Sequence, residues 1–205
     1  MASLSRFDST IARFDAPPMT RAWPGSEGLQ ALFEACVHEL LQICRRDPCA
    51  WLSDADLASI LYTILAQQLP AHGLSPRCLH AGIEIPAKPR PEAKGRPRRI
   101  RVDLALLHPD MLRVDESGAW EGSVELFAAT RRGCRDVEGL GALLEGLAAA
   151  ARANPQAACY LVAVGYGESR KDRDEIARLA LQTGVPLLGE IIDSPDDRQN
   201  QPSLL

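Results

Sequence analysis

The nine-residue run CYLVAVGYG, Cys159 to Gly167, constrains this chain more than any other segment. It is apolar without alternation, the pattern of a strand covered on both faces, so layers must lie on either side of the sheet that holds it. A helical pattern from about Asp172 to Thr183 and a second apolar stretch, VPLLGEII, follow. Strand, helix and strand in that order imply a crossover between parallel neighbours. Ahead of the run, Asp136 opens a helix whose Val137, Leu140, Leu143, Leu144, Leu147 and Ala151 share one face. The second half of the chain therefore reads as α/β.

The first half divides into helices and then strands. Leu29, Leu32, Phe33, Cys36, Val37, Leu40, Leu41 and Cys44 recur at steps of three and four and predict an amphipathic helix ending before Pro48. Ser53 is a predicted N-cap with Asp56 at N3, and Leu57, Ile60, Leu61, Ile64 and Leu65 form the buried stripe of a second helix that stops at Pro70. LHAGIEIP, IRVDLALL and GSVELFAA then predict three strands in succession, an antiparallel meander. Residues 1–25, with the echo SRFD and ARFD, are expected to be a flexible leader, and residues 193–205 a disordered tail. At 205 residues and 46% apolar composition, one core fits, assigned to a single domain over 26–192. No membrane-length apolar stretch and no secretory signal are recognisable, so a soluble, cytoplasmic protein without membrane partners is expected.

Charge is uneven although the net value is only -4. Residues 88–101 hold seven cations (Lys88, Arg90, Lys94, Arg96, Arg98, Arg99, Arg101) against Glu92, a net of +6, which leaves -10 on the remainder. A basic arm on an acidic body suits phosphate contact at one place. Arg96, Arg98, Arg99 and Arg101 in the arm, with Arg131 and Arg132 after the third strand, are the candidate nucleic-acid contacts. The six cysteines form no CxxC pair and no cluster with histidine, which argues against a zinc site or a redox dithiol. GYGES lacks the lysine and glycine spacing of a phosphate loop and reads as a glycine turn.

Two carboxylates stand out. Asp103 interrupts an apolar strand and Glu125 the next one, and neighbouring strands that each raise an acid to a common side can hold a divalent cation. Alternation places residue 127 on the face of Glu125, and that residue is Phe127. The plain alternatives are that Asp103 pairs with Arg99 or Arg101, that Glu125 is merely solvated, and that Asp54 and Asp56 serve the dipole of their helix. His80 and Glu84 share a face at steps of two, which is too little for a metal site.

The order helix, three-strand meander, helix, strand, helix, strand, with an acid in the second and the third strand, resembles the restriction-endonuclease-like, PD-(D/E)XK, nuclease superfamily over residues 53–191, with an N-terminal helix added. RRIRVDLAL places Asp103 on the family's aspartate, VELF places Glu125 and Phe127 on its Glu-x-Lys, and LHAGIEIP is similar to its first strand through Glu84 and Pro86. The resemblance implies Asp103 and Glu125 as catalytic and metal-binding residues for Mg2+ or Mn2+, with phosphodiester hydrolysis as the ancestral chemistry. With Phe127 at the lysine position, it implies a degenerate member that binds nucleic acid, or a protein partner, in DNA processing or defence, with little or no cleavage. Two alternatives stay open. One is an active nuclease in which Arg131, Arg132, Arg135 or Lys171 supplies the missing cation; the other is a purely protein-binding subunit or homo-oligomer.

Overall fold

A computed structural model describes residues 25–47, 52–87, 98–109, 113–114, 120–133, 136–166 and 170–192. Apart from Gly25, the expected leader and tail lie outside these residues, as do Arg96 and most of the basic arm. The elements in chain order are α1 (Ser26–Arg46), α2 (Asp54–Gln68), β1 (Leu79–Ala87), β2 (Arg98–Leu107), β3 (Arg113–Val114), β4 (Trp120–Glu121), β5 (Val124–Arg132), α3 (Val137–Ala153), β6 (Ala158–Tyr166), α4 (Arg170–Thr183) and β7 (Leu187–Ile192). Five strands form one mixed sheet in the order β1-β2-β5-β6-β7. The first three are antiparallel neighbours, and β5, β6 and β7 run parallel. The α/β class and the meander-then-crossover order agree with the sequence; β3 and β4, a two-stranded ribbon inside the expected turn, are additional.

Two cores sandwich the sheet. Leu29, Phe33, Leu40, Leu57, Leu61 and Leu65 of α1 and α2 meet Leu104, Leu126, Ala128 and Val162 on one face. On the other, Leu140, Leu144 and Leu147 of α3 and Ile176 of α4 meet Val102, Phe127, Ala129 and Leu161. β6 feeds both cores through alternate residues, which is why CYLVAVGYG carries no polar alternation. The predicted capping box of α2 is formed: Ser53 Oγ accepts the Asp56 N–H, and the Asp56 carboxylate accepts the Ser53 N–H at 2.8 Å. The Ser53 hydroxyl, which donates to the Asp56 carboxylate at 2.9 Å, and the Leu52 and Ser53 N–H groups hold that carboxyl below the usual carboxylate range. The added helix α1 is part of the core. Phe33 stacks on Tyr160 of β6 with centroids 4.8 Å apart, and the Tyr160 hydroxyl donates to Glu34.

Side-chain alternation breaks at two places, and both bear on the site. In β5, Leu106 pairs with Leu126 but Leu107 pairs with Val124, so Glu125 is the extra residue of a β-bulge. Val124 and Phe127 consequently face the same core although three residues apart. In β1, Gly82 takes a left-handed φ of 62°, and the ladder with β2 passes from Ala81↔Leu104 to Ile83↔Val102 around it. Leu79 and Leu104 thus lie on the α1/α2 face, whereas Ile85 and Val102 lie on the α3/α4 face. Asp103 stands at this change of face.

Candidate functional site

β2 pairs with β5 only through Leu104–Leu107. The last rung toward the β1–β2 hairpin is Leu104↔Ala128, and beyond it the two strands separate. Asp103 spans the gap: its Oδ2 accepts the Thr130 backbone N–H at 2.7 Å, replacing the next ladder bond, and the Thr130 hydroxyl lies 3.1 Å away. That hydroxyl also lies 3.1 Å from the carbonyl oxygen of Asp54, the first residue of α2. Thr130 is fully buried, so these acceptors satisfy a hydroxyl that water cannot reach.

Arg131 completes the cluster. Its Nη1 is 3.5 Å from Asp54 Oδ2 and 3.6 Å from Asp103 Oδ2, and it donates to the Thr130 carbonyl at 2.6 Å. The Arg132 backbone N–H donates to Asp54 Oδ1, and its guanidinium donates to the Leu52 carbonyl at 2.9 Å. The start of α2 is therefore tied to the end of β5, with one guanidinium held between two carboxylates. At the observed 30–44% side-chain exposure, each ion pair contributes no more than about 1 kcal/mol. Their importance lies in where they hold the cation.

This arrangement corrects several expectations. Continuing the β2–β5 register sets Asp103 opposite Ala129, and Glu125 lies four residues back along β5, about 13 Å away at strand rise. Asp103 and Glu125 do not converge on one cation, because the bulge and the register carry Glu125 toward the opposite end of the strand, where Ser123 Oγ donates to it at 2.8 Å. Phe127 does not adjoin Asp103 as a plug. It is fully buried in the α3/α4 core, where a lysine would be an unpaired charge costing several kcal/mol. Asp103 pairs with Arg131, not with Arg99 or Arg101. The alternation change at Gly82 also sends His80 and Glu84 to opposite faces. His80 Nε2 is buried without a hydrogen-bond partner, and burial holds that ring below the usual histidine range.

Of the expected nucleic-acid contacts, Arg131, half-buried, and Arg132, exposed, are engaged by Asp54, Asp103 and Leu52. Arg99 and Arg101 are exposed on β2. The Arg99 guanidinium lies 3.4 Å from the Glu84 carbonyl oxygen, and that of Arg101 lies over Gly82. Arg98 begins β2. Asp54 is the residue that sequence reasoning undervalued: a carboxylate in a first helical turn satisfies the helix dipole without further explanation, and only the long-range contact with β5 reveals a second role.

The donor set does not fit a divalent cation. Asp54 Oδ1, Asp54 Oδ2 and Asp103 Oδ2 all face N–H or O–H donors of this chain, and a metal would have to share the space of the Arg131 guanidinium. Among the described residues there is no group of three or more His, Cys, Asp or Glu able to hold an ion. A concavity of about 430 Å³ on α1, lined by Leu32, Cys36, Glu39, Gln68 and His72, lies apart from the cluster. No helix among the described residues is long and apolar enough to cross a membrane. Compared with known protein families, with curated proteins and with solved structures, the chain matches none of them.

Proposed function

We propose that this chain is a non-cleaving relative of the restriction-endonuclease-like, PD-(D/E)XK, nucleases that binds nucleic acid through its basic β1–β2 hairpin. The order of α2, the β1-β2-β5 meander, α3, β6, α4 and β7 supports the kinship. The observation that carries the functional reading is Arg131 held between Asp54 and Asp103. In a catalyst of that class the second-strand aspartate needs an acid and a cation on the neighbouring strand. The register moves those two places from Glu125 and Phe127 to Ala129 and Arg131. The cation is thus present in relocated form, but alanine has taken the place of the acid, and the guanidinium stands where magnesium or manganese would be held.

Without two free carboxylates there is no activated water and no metal to polarise a phosphoryl oxygen. Binding remains, and its cations are Arg99 and Arg101 on β2, flanked in sequence by Lys88, Arg90, Lys94, Arg96 and Arg98. Affinity for duplex or single-stranded DNA or RNA, read by fluorescence anisotropy, is expected to fall steeply with salt. The paired change Arg99→Ala and Arg101→Ala is expected to reduce the log–log salt slope by about one for each phosphate no longer neutralised. Affinity that is absent, or indifferent to salt and to these changes, defeats the nucleic-acid reading. Cleavage in Mg2+ or Mn2+ that Asp103→Ala abolishes defeats the non-cleaving one.

A further inference from the structure

The two edges of the sheet are built differently. β1 carries the left-handed Gly82, and Pro86 has no N–H. The carbonyls of Glu84 and Pro86 already accept from Arg99 and from Asn154 Nδ2. Such devices keep an edge from pairing with another chain. β7 has none of them: Leu187–Ile192 contains no proline, no lysine and no left-handed residue. Its single charge, Glu190, is matched by Arg45 of α1 at 2.5 Å.

The ladder identifies which backbone groups are left over. In parallel pairing both polar groups of a residue face the same neighbour, and the Leu161 N–H donates to the Pro186 carbonyl at 2.9 Å. Alternate residues from Pro186 onward therefore bond β6, and the N–H and C=O of Leu187, Gly189 and Ile191 point away from the sheet. No described strand pairs with them. Leu187 and Leu188 are only partly buried, one against each core, whereas Leu161 to Val164 of β6 are fully covered. Leu181 of α4 adds a second, independent sign. Leu179 faces Gly141 of α3, and Leu181, about 200° further round the helix, looks away from α3 with 85% of its surface exposed.

We propose that β7 pairs with β7 of a second copy, antiparallel about a two-fold axis centred on Gly189, joining two five-stranded sheets into one. The chain's own strand is the occupant because identical strands run antiparallel are self-complementary, so one axis satisfies both edges. Leu187 then lies across from Ile191, Gly189 offers bare backbone at the axis, and the Arg45–Glu190 pair in each copy removes the like-charge barrier. This proposal is independent of the nucleic-acid reading.

Sedimentation equilibrium of the full chain decides it. Twice the chain mass is expected at micromolar concentration. Ile191→Pro deletes one outward N–H without touching the β6 ladder, and Leu181→Glu charges the exposed leucine of α4. Each is expected to raise the dissociation constant by roughly tenfold or more with an unchanged circular dichroism spectrum. Should Ile191→Pro unfold, the exposed Leu181→Glu variant decides alone. A wild-type chain that stays at single mass up to about 100 μM, where even a weak pairing would register, overturns the proposal. So does a dimer that tolerates both substitutions.

Discussion

Thr130 shows how much one residue settles in this molecule. Its backbone N–H and its hydroxyl both address Asp103, and the hydroxyl shares its one proton with the Asp54 carbonyl. It is the only fully buried polar side chain among the described residues, and removing the hydroxyl takes one donor from the Asp103 carboxylate and the Asp54 carbonyl, although the Thr130 N–H still reaches Asp103. Thr130→Val keeps the shape and is expected to lower the unfolding free energy by about 1–3 kcal/mol in urea. Thr130→Ser is expected to restore most of it. An unchanged midpoint for the valine variant would mean that the three-way junction of α2, β2 and β5 adds nothing to stability.

At the scale of elements, Gly82 and the Glu125 bulge determine what faces what. Gly82→Ala puts a Cβ in the left-handed region 3.0 Å from Arg101 Nη2, and is expected to cost about 1–2 kcal/mol, read as a lower thermal midpoint. The helices were legible in the sequence because their period is local: the stripe of α2 and its Ser53/Asp56 box declare both boundary and buried face without reference to any partner. Strand registers are not local. Thr-Arg-Arg after VELFAA reads as a polar exit from a strand, yet β5 continues through Arg132, and only that continuation brings Arg131 beside Asp103. Strict alternation from Glu125 to Phe127 predicts a shared face at the site. It fails as a guide because the bulged residue is defined by its partner strand, and no single-strand pattern records it. Asp103 stands out in the sequence for a sound reason, since a carboxylate in an apolar strand needs a partner. The identity of that partner was hidden.

The described residues form a three-layer sandwich with a helix pair on each face of the sheet, and four of their thiols report on that closure. Burial pushes the Cys36 and Cys44 thiols up to about 11 and Cys159 up to about 12. A raised value means less thiolate at a given pH; a thiol at about 11 is only about one part in a thousand ionised at pH 8. Cys36, Cys44, Cys78 and Cys159, all buried, are expected to resist iodoacetamide in the folded chain and to label on unfolding, as mass spectrometry would read. Rapid labelling of these four under native conditions would contradict the closed core. On the proposed kinship, the Arg131 guanidinium between Asp54 and Asp103 takes the place of a nuclease's metal. Calorimetric titration with Mn2+ tests it most directly. No saturable binding is expected from the wild-type chain at millimolar metal, and Arg131→Met is expected to create binding that Asp103→Ala then removes. Saturable binding by the wild type, lost on Asp103→Ala alone, would contradict it.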